Sequence, residues 1–158
     1  MYDKSFPVSW EEIHRNSKAL AWRLHEIEPF KGIICVTRGG LVPAAIVARE
    51  LDIRLIDTIC VISYKDNSRG EVEFLKKDTI AIDGENWLII DDLVDSGETI
   101  KALRPQLPKA HYATVYAKPN GRSQVDTFIT EVSQDTWIYF PWDLEMKPVP
   151  TINEQIKK

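Results

Sequence analysis

The stretch Trp87 to Thr99, WLIIDDLVDSGET, constrains the fold more than any other part of the chain. Trp87, Leu88, Ile89 and Ile90 make a short apolar run of the kind found in strands buried on both faces of a parallel sheet, and the run ends abruptly at two adjacent carboxylates, Asp91 and Asp92. In open α/β sheets ligands bind beyond the carboxyl ends of the strands, so the acidic pair falls where a site is expected. Asp95-Ser96-Gly97-Glu98-Thr99 follows, and Ile100 to Leu107 reads as a helix stopped by Pro108. A loop carrying a glycine and hydroxyls before a helix N-terminus suits a phosphate, because unpaired amides and the positive end of the helix dipole converge there. Carboxylates beside an anion site need a mediator, and Mg²⁺ or sugar hydroxyls engage carboxylate and phosphate oxygens together.

Two further apolar runs end in polar loops. Ile33-Ile34-Cys35-Val36 meets Thr37-Arg38-Gly39-Gly40, and a nearly all-apolar helix from about Pro43 to Leu51 comes next. Alone, this loop reads as a tight turn with a surface arginine. Beside the 95–99 loop it reads as a second anion site, where adjacent glycines permit close backbone approach and Arg38 offers a cationic fork to a diphosphate. His111 to Ala117 forms the third run and stops at Lys118. The βαβ repetition brings Arg38, Asp92 and Lys118 to one sheet edge, which favours a ligand contact for Lys118 over a solvated ammonium. There it can donate to an exocyclic oxygen and stabilise charge developing on it.

Around these runs, Ser9-Trp10-Glu11-Glu12 matches a capping box and opens a helix from about Trp10 to Ile27. Ile56 to Tyr64 is a strand rich in β-branched residues, Lys65 to Gly70 is turn-forming, and Glu71 to Lys77 reads as a returning strand. Such a hairpin is either an exposed loop or a lid over the site. The tail Gln134 to Asp143, QDTWIYFPWD, is dense in aromatic residues. For Trp137 stacking on a planar base is the preferred reading, whereas Tyr139, Phe140 and Trp142 serve equally well as a hydrophobic plug closing the core or as a subunit contact.

A chain of 158 residues suits one domain, and a net charge of −4 argues against nucleic-acid binding driven by overall charge. Cys35 and Cys60 lie in apolar strand-like runs without metal-ligand spacing and read as reduced thiols of a cytosolic protein. No apolar run approaches the roughly 20 residues that span a bilayer.

The order of apolar run, acidic pair and D-S-G-E-T entering a helix resembles the ribosyl-phosphate signature of the type I phosphoribosyltransferases. With TRGGLVP, the ISY-to-LKK hairpin, the lysine of YAKP and QDTWIYFPWD, the resemblance covers almost the whole chain and is closest to the family's bacterial 6-oxopurine branch. It implies an α/β fold over residues 1–158, with a single-domain open, mainly parallel twisted sheet flanked by helices, a flap hairpin at about 64–76 and a purine-binding hood at about 134–150. The implied reaction is Mg²⁺-dependent transfer of phosphoribosyl from phosphoribosyl diphosphate (PRPP) to guanine or xanthine, and with less support hypoxanthine, in purine salvage. Asp91 and Asp92 match the pair serving ribose hydroxyls and metal. Asp95, Ser96, Gly97, Glu98 and Thr99 match the 5′-phosphate loop, and Arg38, Gly39 and Arg69 the diphosphate contacts. Lys118 matches the donor to purine O6, Trp137 the stacking ring, and Ile138 the carbonyl facing the 2-substituent. Asp95 also matches the proton acceptor near N7, so Asp95 and Lys118 are the expected catalytic residues. The resemblance further implies a cytoplasmic homo-oligomer, a tetramer, with no nucleic-acid partner and membrane contact at most peripheral.

Ser96 and Glu98 depart from that pattern, standing where threonine and glycine are usual. Serine preserves the hydroxyl, but a carboxylate at 98 weakens phosphate binding unless it turns to solvent. The competing readings are a regulatory RNA-binding relative that keeps the PRPP signature, a phosphoribosyltransferase for another base, and, ranked low, a receiver-type phosphoacceptor. The net charge disfavours the first, and Lys118 with Trp137 favours a 6-oxopurine over the second.

Overall fold

In chain order the elements are β1 (Lys4–Pro7), α1 (Trp10–His25), β2 (Gly32–Thr37), α2 (Leu41–Glu50), β3 (Ile56–Ser63), β4 (Val72–Lys76), β5 (Trp87–Val94), α3 (Glu98–Leu103), β6 (His111–Ala117), β7 (Thr127–Glu131), β8 (Thr136–Tyr139) and α4 (Ile152–Ile156), with a 3₁₀ turn at Arg122–Gln124. This computed structural model describes residues 3–27, 29–63, 72–77, 80–143 and 150–156.

The six-stranded sheet has the order β4-β3-β2-β5-β6-β7. All neighbours are parallel except β4, which folds back antiparallel on β3. The chain steps from β2 outward to β3 and then returns to the other side of β2 with β5, so the strand order reverses between β2 and β5. A crevice opens at such a switch point, beyond the strands' carboxyl ends. Apolar side chains fill both faces of the sheet. Ile13, Leu20 and Leu24 of α1 and Val47 of α2 pack with Ile33, Leu88 and Ile90 on one face, and Ile100 and Leu103 of α3 pack with Ile34, Ile89 and Tyr112 on the other. This two-sided burial explains why the sequence of β5 begins as an unbroken apolar run rather than an alternation.

Ser9 accepts from the Glu12 amide at 3.1 Å and starts α1 as its capping pattern requires, although the helix ends at His25, short of Ile27. Two boundaries differ more. The central strand does not stop before the carboxylates: β5 continues to Val94, because pairing with β6 persists through Asp91↔Thr114 to Val94↔Ala117. Pairing with β2 ends at Cys35↔Ile90, so Asp91 and Asp92 stand where one neighbour has run out. Likewise α3 is shorter than expected and ends at Leu103. Pro105, not Pro108, closes it: Arg104 is still helical as the C-cap, but Pro105 has no amide N–H to carry the i→i−4 ladder further.

The tail does more than plug the core. β8 pairs in parallel with β1, the opposite end of the chain, in a separate two-stranded sheet with Phe6↔Ile138 in register. Phe140 is buried and stacks on Trp142 at 4.7 Å, while its other ring neighbour is Tyr116 of β6. Phe140 is therefore core, and the partly buried Trp142 packs against it, as the hydrophobic-plug reading holds.

Candidate active site at the strand ends

The loop after β2 presses its glycines against β5. A methyl group at Gly39 would fall 2.3–2.5 Å from the Asp92 carboxylate, and one at Gly40 would fall 2.4 Å from the Ile90 carbonyl oxygen and 2.8 Å from that of Val36. Neither position has room for a side chain, so the adjacent glycines let the Arg38 loop and the acidic pair share one site. Gly40→Ala is expected to force the loop away from β5 and to destabilise the fold by about 1–3 kcal/mol, the usual cost of overpacking. Chemical denaturation checks this, with an unchanged midpoint as the contrary result. The Thr37–Arg38 peptide in this loop is cis.

Asp91 and Asp92 are half-buried neighbours, and the Asp92 amide donates to Asp91 Oδ1 at 2.9 Å. Burial, then repulsion from Asp92, holds the Asp91 carboxyl well above the usual carboxylate range, and burial lifts Asp92 to about 6. A pair that resists double ionisation is a good host for a cation. The same burial, with the two carboxylates nearby, pushes the Cys35 thiol up to about 12, which fits an unreactive core cysteine. Arg38 lies near Asp143, whose carboxyl is raised by burial and partly restored by that guanidinium.

Beyond β5, Gly97 adopts a left-handed conformation (φ 84°) as the N-cap of α3 and offers no capping oxygen to the first-turn amides. Ser96 Oγ reaches the Glu98 amide only at 3.5 Å. Glu98, the doubtful residue of this loop, pairs with Lys101 at 2.8 Å on an exposed flank. Its charge is thus answered one turn along the helix. Thr99 is half-buried in that first turn.

At the end of β6, Lys118 is 1% exposed, and its ammonium lies 3.0 Å from Asp95 Oδ2. The other Asp95 oxygen accepts from Gln134 Nε2 at 2.7 Å. Gln134 was not among the expected site residues; it lies inside the aromatic tail, and a lone glutamine has no pattern to mark it. Trp137 is 40% exposed on β8, whereas the Ile138 side chain is buried in the core. The Tyr139 carbonyl accepts from Val8 on the β1 side, so strand alternation turns the Ile138 carbonyl to the opposite edge. The structure thus brings Gly39, Asp91 and Asp92 together, and separately Asp95 and Lys118. Arg69 and the tip of the expected flap lie outside the described residues, as do residues 144–149 of the expected hood. The two arms of the hairpin do pair, from Cys60↔Lys76 to Ser63↔Val72.

Residues 9–148 match the phosphoribosyl transferase domain family. The chain belongs to that family. A xanthine-guanine phosphoribosyltransferase of Desulfotalea psychrophila is 62% identical over 145 residues, spanning 91% of this chain and 89% of the relative. The enzyme of the same name from Nitratidesulfovibrio vulgaris strain DP4 is 60% identical over 154 residues, spanning 97% and 94%. Among solved structures, the purine phosphoribosyltransferase from Pyrococcus horikoshii superposes with a TM-score of 0.74 at 29% identity, covering 93% of this chain and 98% of that one. The type I phosphoribosyltransferase fold expected from the sequence, with its mainly parallel sheet and flanking helices, is therefore the observed one.

Proposed function

We propose that this phosphoribosyltransferase transfers the 5-phosphoribosyl group of PRPP to a 6-oxopurine, guanine or xanthine and with less support hypoxanthine, releasing diphosphate. The observation that carries this reading is the Lys118–Asp95 pair, a buried donor 3.0 Å from an acceptor. A 6-oxopurine protonated at N7 presents the complementary pair on adjacent positions, the O6 acceptor and the N7–H donor. Adenine presents an amino donor at position 6, and an ammonium has no acceptor to meet it. The names of the two relatives at 60% identity or above support the same substrate class.

In this reading Trp137 stacks on the base, and the Ile138 carbonyl accepts from a 2-amino group. Residues 95–99 hold the 5′-phosphate, Arg38, Gly39 and Arg69 the diphosphate, and Asp91 and Asp92 the ribose hydroxyls. As the leaving group departs, positive character grows on the sugar, and Asp95 takes the purine proton so that the ring nitrogen can attack. The hairpin of β3 and β4 closes over the site as a flap that excludes water.

The acidic pair fits Mg²⁺ by the chemistry of its donors, which are hard carboxylate oxygens beside a loop whose glycine keeps space open at Asp92. Among the described residues no cluster of three or more potential metal ligands exists, so substrate oxygens and water would complete the shell, as Mg²⁺ commonly requires. When bound, the ion supplies charge neutralisation to the departing diphosphate. By family resemblance the proposal also covers a homo-oligomer, a tetramer, working in the cytoplasm with at most peripheral membrane contact. No helix among the described residues is long and apolar enough to cross a membrane.

A panel of guanine, xanthine, hypoxanthine and adenine, each with PRPP and Mg²⁺ and followed for nucleotide and diphosphate, tests the reading. Guanine is expected to give the highest kcat/KM and adenine a value lower by on the order of 10⁴-fold, the scale on which a hydrogen-bonding site rejects a mismatched analogue. Adenine turnover comparable to guanine overturns it, and RNA binding without nucleotide formation favours the regulatory alternative instead.

A further inference from the structure

Three loops meet at Asp95. The residue itself follows β5, Lys118 closes β6, and Gln134 lies in the connection between β7 and β8. Gln134 is held at both ends of its amide: Nε2 donates to Asp95 Oδ1 at 2.7 Å, and Oε1 accepts from the Asn120 backbone amide at 3.0 Å. A backbone N–H can only donate and an ionised carboxylate can only accept, so these partners fix which end of the amide is which. The segment that presents Gln134 is itself braced. Ser133 Oγ donates to Asp135 Oδ1 at 2.6 Å and lies 2.7 Å from Thr136 Oγ1, and the Thr136 amide donates to the Ser133 carbonyl at 3.1 Å. Lys4 of β1 pairs with Asp135 at 3.0 Å and ties this turn to the small sheet that carries Trp137. The Val132 amide donates to the Ala117 carbonyl at 3.0 Å, which docks the same connection onto the end of β6.

We propose that Gln134 is a positioning residue that holds Asp95 Oδ1 so that Oδ2 is the oxygen that receives the purine proton. The proposal rests on the assignment of Asp95 as proton acceptor and of Lys118 as the O6 donor. Before the base arrives, Lys118 and Gln134 hold opposite oxygens of one carboxylate. When Lys118 turns its donors to O6, Oδ2 loses that partner and faces the purine N7–H, while the Gln134 bond keeps the carboxylate from swinging after the lysine. The amide also occupies Oδ1 with a donor that cannot give up its proton, so the transferred proton goes to Oδ2. The same bond connects base binding to proton transfer, because Gln134 belongs to the braced turn that leads directly into Trp137.

A double-mutant cycle on the full chain tests this. Gln134→Leu removes the donor, and Gln134→Glu keeps the shape and the acceptor for Asn120 while setting a carboxylate against Asp95. Both are expected to lower kcat with guanine on the order of 10- to 100-fold, the effect of losing orientation at a reacting group. KM for PRPP should stay within about twofold, since the network reaches the 95–99 loop only through the Asp95 carboxylate. In the Asp95→Asn background either change should cost less than about threefold more, because a residue that acts through another loses its effect when that other is gone. A purely structural role gives losses that multiply, or a Gln134→Glu protein with wild-type kcat, and either result overturns the proposal. If the wild-type chain forms no nucleotide from PRPP and guanine, or if Asp95→Asn alone keeps full turnover, the assignments on which the proposal rests fail first, and the cycle is not needed to see it.

Discussion

Asp95→Asn is expected to lower turnover with guanine by about 10²- to 10⁴-fold, the usual contribution of a general base, while leaving PRPP affinity comparatively intact. The amide keeps the size of the carboxylate and one of its acceptors, but it has no basic lone pair for the purine proton. It also meets a site built for two acceptors. Lys118 and Gln134 both point donors at residue 95, so an asparagine must turn its own NH₂ toward one of them. Some loss of purine affinity should accompany the loss of kcat for that reason. Steady-state kinetics with each substrate varied in turn separates the effects, and near-wild-type kcat would remove Asp95 from the proton-accepting role.

Lys118→Met is expected to reduce kcat/KM for guanine on the order of 10²- to 10³-fold and to collapse the preference for guanine over adenine, since truncating one member of a buried charged contact costs about 2–5 kcal/mol. Methionine is the suitable replacement at a position 1% exposed, being flexible, unbranched and apolar. Asp95 retains Gln134 in this variant, so a folded protein with a partly anchored carboxylate is expected. Trp137→Leu provides the contrast. Stacking is worth about 1–3 kcal/mol per base and is indifferent to ring substituents, so apparent affinity should fall for every purine with their ranking unchanged. Retention of the full guanine preference by the methionine variant would contradict the assignment of Lys118 to O6.

The central part of this architecture could be read from the chain because its signals are local. Each of the runs ending near Thr37, Asp91 and Lys118 carries its burial pattern within a few residues, and the glycines of the Arg38 loop mark contacts that only a bare backbone can make. Asp91 and Asp92, expected beyond the strand, lie on it, because the strand's end depends on how far its two neighbours extend, which is a property of the sheet. The pairing of β1 with β8 was not legible at all. Four-residue segments from opposite ends of the chain have no periodicity to announce them, and their register is set by the packing of Phe6 and Ile138 on the core. Glu98 looks unfavourable in the 95–99 loop as a sequence because its partner, Lys101, becomes a neighbour only once the helix has formed. Gln134 escaped notice for a related reason: its meaning lies in two hydrogen bonds to other loops, and no single residue type predicts those.

In the proposed function the ends of β2, β5 and β6 form one site, with PRPP oxygens at the Arg38 and 95–99 loops and the purine between Lys118 and Trp137. A crystal structure of the protein with GMP measures this directly. The expected result is the 5′-phosphate on the amides of residues 95–99, the ribose hydroxyls at Asp91 and Asp92, O6 within hydrogen-bond distance of Lys118 Nζ, and the ring against Trp137. A nucleotide bound with its base away from Lys118 and Trp137, or with its phosphate outside the 95–99 loop, would contradict it.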